Sequence, residues 1–276
     1  MSRIEEALEK AARLRGDLIE PVPTQKTVKS PPRLRPPLVE ERKITNRLLV
    51  AASDPYTPEA EEYRKLKSIL VKLTKGEKFQ NMLLITSSIS CEGKSITAIN
   101  LAVTLAQEYD HTVLLVDADL RKPSLNDYLG IEQQAGLSEC LLEGLEIKDA
   151  LLQTGIGKLS LLPAGGEVHN PAEVFSSQKA RDLFLELKYR YPDRYIIIDS
   201  PPVLPFAETR SLSSIADGVL LVVKEGTVPL RHINETLDCL KGANMLGIVY
   251  NQATVETQDE HDHYYRYYRR SYADAI

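Results

Sequence analysis

One glycine-lysine-serine turn and three aspartates at two segment ends carry the chemical signal of this sequence. The run Ser87-Ser88-Ile89-Ser90-Cys91-Glu92-Gly93-Lys94-Ser95 follows an apolar stretch and leads into a helix-periodic one. That is the context in which consecutive backbone N–H groups and the positive end of a helix enclose phosphate. The backbone of Ser90, Cys91, Glu92, Gly93, Lys94, Ser95 and Ile96 would then cradle the anion. Lys94 would bring a point charge to its terminal phosphates, and the Ser95 hydroxyl would face Mg2+. Ser88 stands where a first glycine is usual, and Cys91 where a further glycine is frequent. Each side chain restricts a backbone that glycine would leave free. A thiol close to a helix N-terminus invites a redox switch at Cys91; an incidental small residue is the competing reading.

The acids follow a pattern of their own. Leu114-Leu115-Val116-Asp117-Ala118-Asp119-Leu120-Arg121 ends an aliphatic run in two carboxylates, which an extended chain directs to one side. Ile196-Ile197-Ile198-Asp199-Ser200-Pro201-Pro202 repeats the theme. A lone aspartate at a strand end is usually a turn residue, but three at the edge that carries a phosphate loop predict a metal and nucleophile site. Arg121 suits either a phosphate contact or a structural salt bridge. Asn251, at the end of Gly247-Ile248-Val249-Tyr250-Asn251, reads from the residues alone as a turn asparagine.

Five of the thirteen tyrosines, Tyr264, Tyr265, Tyr267, Tyr268 and Tyr272, crowd into one polar terminal segment. So dense a cluster is not a core. Aromatic-plus-arginine composition can stack single-stranded nucleic acid, but Asp259, Glu260, Asp262 and Asp274 oppose that here. His261 and His263 fit a solvated mixed-charge tail better than a metal site.

Positioning these groups requires a fold, and the chain has the means for one. Its 276 residues, 43% hydrophobic and 26% charged, suffice for one substantial core. The formal charge of -5 gives no pull toward nucleic acid or anionic lipid. No apolar run approaches the roughly 20 residues that cross a bilayer. Glu5, Glu6 and Glu9 stand where a secretory signal would be apolar. Three widely spaced cysteines, Cys91, Cys140 and Cys239, suit a reducing cytoplasm.

Short β-rich runs alternate with helical patterns, which predicts an α/β fold with a doubly wound, mostly parallel sheet. Strands are expected at Met82–Thr86, Thr112–Asp117, Leu159–Pro163, Tyr195–Asp199, Gly218–Lys224 and Leu246–Asn251, with an edge strand near Leu48–Ala52. Helices are expected at Lys94–Tyr109, Gln178–Tyr191 and Leu230–Gly242. The ligand belongs at the carboxyl ends of the strands. Residues 1–44 read as an amphipathic helix with a linker holding six of the sixteen prolines, 45–256 as the main domain and 257–276 as the tyrosine tail.

The phosphate loop, the hydrophobic-Asp-x-Asp-x-Arg end and the Ile-Ile-Asp-Ser-Pro-Pro end together resemble the bacterial tyrosine kinases of exopolysaccharide and capsule synthesis, whose P-loop fold is shared with the MinD/ParA ATPases. The opening Met-Ser-Arg-Ile-Glu-Glu-Ala-Leu-Glu-Lys-Ala is similar to the exosortase-associated subgroup. The resemblance implies ATP and Mg2+ as cofactors and autophosphorylation of the tail tyrosines. It places Lys94 and Ser95 in the first Walker motif, Asp117 and Asp119 in its kinase-distinctive second half, and Asp199 in Walker B. We expect Asp117 as the base and Asp119 and Asp199 holding Mg2+ directly or through water, with Ser95 and Asp117 also within the metal's reach.

Further expectations follow from the same resemblance. Asn251 contacts adenine, and Glu61, Arg64 and Lys67, which share one helical face, match a Glu-x-x-Arg-x-x-Arg ring-assembly motif with Lys67 in place of the last arginine. Implied partners are a membrane polysaccharide copolymerase or chain-length regulator, further copies of the chain, and a phosphotyrosine phosphatase. The chain would then sit at the inner face of the cell membrane through its partner. The loop lacks the lysine that ParA-like relatives place near its start, since none occurs from Ser87 to Glu92. Two other readings stay open: a MinD/ParA-like ATPase, and a nucleotide-gated scaffold without catalysis.

Overall fold

The computed structural model describes residues 44–76, 79–108, 111–191 and 193–254. The expected N-terminal amphipathic helix, the proline-rich linker up to residue 43 and the tyrosine cluster of 264–272 lie outside the described residues.

In chain order the elements are α1 (Val50–Ser53), α2 (Pro58–Thr74), β1 (Met82–Ser87), α3 (Lys94–Ala106), β2 (Thr112–Asp117), α4 (Leu125–Leu129), α5 (Leu137–Leu142), α6 (Ile147–Ala150), β3 (Leu152–Gln153) and β4 (Leu159–Leu162). They continue with α7 (Pro171–Ser176), α8 (Gln178–Arg190), β5 (Arg194–Asp199), α9 (Glu208–Ile215), β6 (Gly218–Lys224), α10 (Leu230–Cys239) and β7 (Met245–Asn251). The strands form one seven-stranded sheet in the order β3-β4-β2-β5-β1-β6-β7. Every pairing is parallel except the short β3-β4 contact.

The central strands are near-continuous aliphatic runs because helices cover both faces of the sheet. Alternate side chains divide between two cores. Met82, Leu84, Leu114, Val116, Ile196 and Ile198 pack with residues of α5, α6, α7, α8 and α9. Leu83, Ile85, Val113, Leu115, Tyr195 and Ile197 pack with α1, α2 and α3 on the other side. All six residues of β1 are buried, so the phosphate loop leaves from a fully enclosed strand end.

Local chemistry fixes the helix starts. Thr57 caps α2, its hydroxyl accepting from Ala60 N at 3.2 Å, and Pro58 occupies the first turn where no N–H is needed. Ser177 caps α8 in the same way through Ala180 N at 3.1 Å.

The segment expected as an edge strand near Leu48–Ala52 is instead helical at Val50–Ser53. Asn46 Oδ1 accepts from Leu48 N at 3.0 Å and turns the chain, and Asn100 Oδ1 accepts from Ala51 N at 2.9 Å. With Leu49 buried and its neighbours docked on α3, no sheet edge is in reach. The other expected strands and helices are present within a few residues of their predicted ends, while β3, two residues long, is too short to carry a period.

Candidate functional site

Strands β2, β5 and β1 are adjacent and parallel, so their carboxyl ends open onto one edge. Asp117 pairs in register with Asp199, and Ile85 with Asp199 from the opposite side. The sheet therefore places the two carboxylates side by side next to the strand that feeds the phosphate loop. This is the edge where a doubly wound sheet holds its ligand.

The loop between Ser87 and Lys94 is held by its own side chains. Gly93, at φ +94°, occupies the left-handed region, and a Cβ there would lie 2.1 Å from Asn251 Nδ2. Cys91 adopts φ +69° with a side chain in place and is exposed. The buried Glu92 carboxylate accepts from Ile89 N at 2.8 Å and from Lys224 N at 3.3 Å, which ties the loop to itself and to the end of β6. Sequence reading counted Glu92 only for its backbone N–H. The available signal was a glutamate three residues after Ile89, the spacing at which such a side chain reaches back to a backbone donor.

Asn251 arrives from the end of β7. Its Nδ2 donates to the Glu92 carbonyl at 2.8 Å, and its Oδ1 accepts from Gln252 N at 3.0 Å. The structure thus brings Asn251 onto the phosphate loop rather than leaving it as a remote turn residue. On the other flank, Val203 N and Leu204 N donate to the carbonyls of Ser87 and Ser88 at 2.8 and 3.2 Å. The loop after β5 is anchored to the first residues of the phosphate loop.

Lys94 sits at the centre. Its Nζ donates to Asp119 Oδ2 at 2.8 Å, lies 3.2 Å from Ser95 Oγ and stands 3.8 Å from Asp199 Oδ1. Burial alone would lower the Lys94 pKa; Asp199, Asp119 and Asp117 more than offset it, and the ammonium is held above its ordinary value. Ser90 and Ile96 flank the same turn, at the rim and in the first turn of α3.

Asp117 and Asp199 are fully buried. Asp117 Oδ1 accepts from Asp119 N at 3.2 Å, while Oδ2 accepts from Ser124 N and Leu125 N, both at 3.1 Å. Desolvation, reinforced by Asp199, nevertheless pushes Asp117 up to about 7. Desolvation also pushes Asp199 up to about 6, against the pull of Lys94. Neither Asp199 oxygen has a hydrogen-bond partner among the described residues. A buried carboxylate held near the Lys94 ammonium and the Ser95 hydroxyl, with neither oxygen in a formed hydrogen bond, offers the hard oxygen donors that Mg2+ prefers. Among the described residues no three acid, histidine or cysteine side chains form a ready-made metal cluster. The donor set fits an ion that keeps most of its own water and ligand oxygens.

Arg121 resolves between its two readings. Its Nε donates to Glu208 Oε1 at 2.6 Å, and Nη2 lies 3.5 Å from Oε2. The expected assembly residues lie on α2, and all three have internal partners. Arg64 pairs with Glu61 at 2.5 Å and with the Pro55 carbonyl, and Lys67 pairs with Glu108 at 3.2 Å.

Comparisons with known proteins agree with this geometry. The sequence model described as an AAA domain matches residues 80–245. Tyrosine-protein kinase YwqD of Bacillus subtilis (strain 168) is 31% identical over 220 residues, which cover 79% of this chain and 91% of that protein. The succinoglycan biosynthesis transport protein ExoP of Rhizobium meliloti (strain 1021) is 30% identical over 212 residues, 75% of this chain but 26% of ExoP. Among solved structures, the chimerical protein CapA2B2 superposes with a TM-score of 0.69 at 29% identity, covering 75% of this chain and 90% of the other. The kinase domain of Escherichia coli tyrosine kinase ETK gives 0.67 at 25% identity, covering 76% and 83%. With the phosphate loop, the paired acids and the sheet order in one arrangement, the chain belongs to the AAA domain family and, within it, to the bacterial tyrosine-protein kinases.

Proposed function

We propose that this chain is an ATP-dependent protein-tyrosine autokinase that phosphorylates the tyrosine cluster Tyr264, Tyr265, Tyr267, Tyr268 and Tyr272 and so regulates exopolysaccharide synthesis and export. The observation that carries the reading is the Lys94 ammonium, held between Asp119 and an Asp199 whose buried carboxylate has no hydrogen-bond partner among the described residues. Bound Mg-ATP would supply the phosphoryl group and the charge neutralisation of a loose transfer. Ser95 and Asp199 would hold the metal, with Asp117 and Asp119 reaching it directly or through water.

The chain's own groups divide the remaining work. Lys94 leaves Asp119 to meet phosphate oxygens, and the loop N–H groups orient them. Tyrosine, with a reference pKa of about 10, keeps its proton until late in the transfer. Asp117 is the base: Oδ1 carries a single N–H against two on Oδ2 and keeps more capacity for that proton. Desolvation and the neighbouring Asp199 raise its affinity for a proton in the metal-free chain. Asn251, already on the loop, would shift its amide toward adenine.

The setting is read from the relatives. A transport protein of succinoglycan biosynthesis contains a region similar to this chain, which supports a membrane polysaccharide copolymerase as activator, with the chain working beside it at the inner membrane face. Glu61, Arg64 and Lys67 would contact a neighbouring copy in a ring, and a phosphotyrosine phosphatase would reset the tail. Among the described residues no helix is long and apolar enough to cross a membrane. The test is phosphoamino-acid analysis after incubation with Mg-ATP. Phosphotyrosine is expected; phosphate release without it would make the chain an ATPase, and bound but unconsumed ATP would make it a scaffold.

A further inference from the structure

Arg121 and Phe206 stand on two loops that flank the phosphate site. Arg121 follows Asp119, the Lys94 partner, by two residues, in a turn closed by Lys122 N donating to the Asp119 carbonyl at 3.2 Å. Phe206 follows Leu204 by two residues, and Leu204 N is bonded to the Ser88 carbonyl at 3.2 Å. Both residues are therefore fixed to the phosphate loop and its lysine through short, hydrogen-bonded stretches of chain.

Their mutual geometry is specific. The Arg121 guanidinium lies over the Phe206 ring, 4.6 Å from its centroid. Edge-on, it is engaged by Glu208, whose carboxylate is completely buried while the Arg121 side chain remains 37% exposed. A buried, singly paired carboxylate holds its arginine firmly, because removing the partner would strand a charge in the interior. Arg121 is thus retained by Glu208 rather than available as a hand for phosphate. What it leaves to solvent is the outer face of a charge-compensated guanidinium whose inner face rests on the half-buried Phe206 ring.

Guanidinium planes and aromatic rings both stack on aromatic side chains. Building on the autokinase reading, we propose that Arg121, backed by Phe206, forms the acceptor platform, on whose outer face the ring of an incoming tail tyrosine stacks so that its hydroxyl faces the Lys94–Asp199 site. The tail supports this choice of occupant. It interleaves Tyr264, Tyr265, Tyr267, Tyr268 and Tyr272 with Arg266, Arg269 and Arg270. An unpaired arginine at the lip would repel Arg266, Arg269 and Arg270, which stand next to the tyrosines, while an arginine neutralised by Glu208 does not; Asp259, Glu260, Asp262 and Asp274 lie at the ends of the segment. The platform reads an aromatic ring and no particular neighbour, which suits a cluster of closely spaced acceptors.

The test uses the full chain with the five tail tyrosines changed to serine and a synthetic peptide of sequence 259–276 as acceptor. Phe206→Ala is expected to raise the peptide KM about fivefold, the scale of one exposed stacking contact, with kcat within about twofold. Mg-ATP affinity should not change. Phe206→Tyr should restore the KM, and Arg121→Lys, which keeps the charge for Glu208 but loses the plane, should behave like Phe206→Ala. Unchanged KM in both loss variants would overturn the proposal, as would a fall in nucleotide affinity in Arg121→Lys, which would make Arg121 a phosphate contact. Peptide binding read by fluorescence anisotropy follows the same ranking without any turnover. If the parent chain transfers no phosphate, the autokinase reading fails, and the anisotropy ranking still decides the platform.

Discussion

Lys94 Nζ lies 2.8 Å from Asp119 Oδ2 in a pair whose side chains are 11% and 5% exposed. The cation that the phosphate loop offers is therefore already occupied by a carboxylate of the neighbouring loop. Nucleotide phosphate has to replace that carboxylate, so Asp119 acts against binding before it assists the metal.

Removing this competition should be visible where the metal plays no part. Asp119→Asn is expected to tighten ADP binding in EDTA by about tenfold, the scale of one charge-assisted hydrogen bond. In Mg-ATP the same variant should lose most phosphotransfer. Calorimetry at matched ionic strength reads the first effect; equal ADP affinities for the two proteins would remove the competition from the account.

The two buried acids set a pH dependence of stability in the metal-free chain. Asp117 and Asp199 are raised to about 7 and about 6, so the folded chain keeps protons that the unfolded chain releases from about pH 4 upward. Their contribution is fully present below the ordinary carboxylate range and is lost as pH rises through 6 to 7. Asp199→Asn should accordingly raise Tm in EDTA at alkaline pH, by about 5 °C, and the gap should close on acidification. Mg2+ should stabilise the parent chain at alkaline pH and leave the variant unmoved. A gap that widens in acid would contradict the assignment.

Backbone conformation in the loop gives a pair of opposite outcomes. Gly93→Ala puts a Cβ 2.1 Å from Asn251 Nδ2 at φ +94°, and should abolish nucleotide binding. Cys91→Gly relieves a side chain held at φ +69°, and should stabilise the chain by about 1 kcal/mol in urea denaturation. Loss of stability in Cys91→Gly would mean that the thiol contributes more than its backbone costs.

Much of this site was legible in advance because its signals are local. The glycine-lysine-serine turn and the acids ending Val116-Asp117 and Ile198-Asp199 announce themselves by lying just beyond aliphatic runs. The short helix at Val50–Ser53 was misread as a strand because its conformation is set from a distance, by Asn100 and Gln107 of α3 and the turn that follows it. The Glu92 knot was missed for a related reason: one of its partners, Lys224 N, is brought beside it only by the pairing of β1 with β6. The Arg121–Glu208 pair likewise joins the loop after β2 to the start of α9, and composition alone left Arg121 between two roles.

The most direct test of the central claim is peptide-resolved phosphosite mapping of the full chain after incubation with Mg-ATP, beside Lys94→Met. Phosphate on one or more of Tyr264, Tyr265, Tyr267, Tyr268 and Tyr272 in the parent, and none in Lys94→Met, is the predicted result. Phosphotyrosine at equal levels in both proteins, or an unmodified tail in a parent chain that consumes ATP, would contradict it.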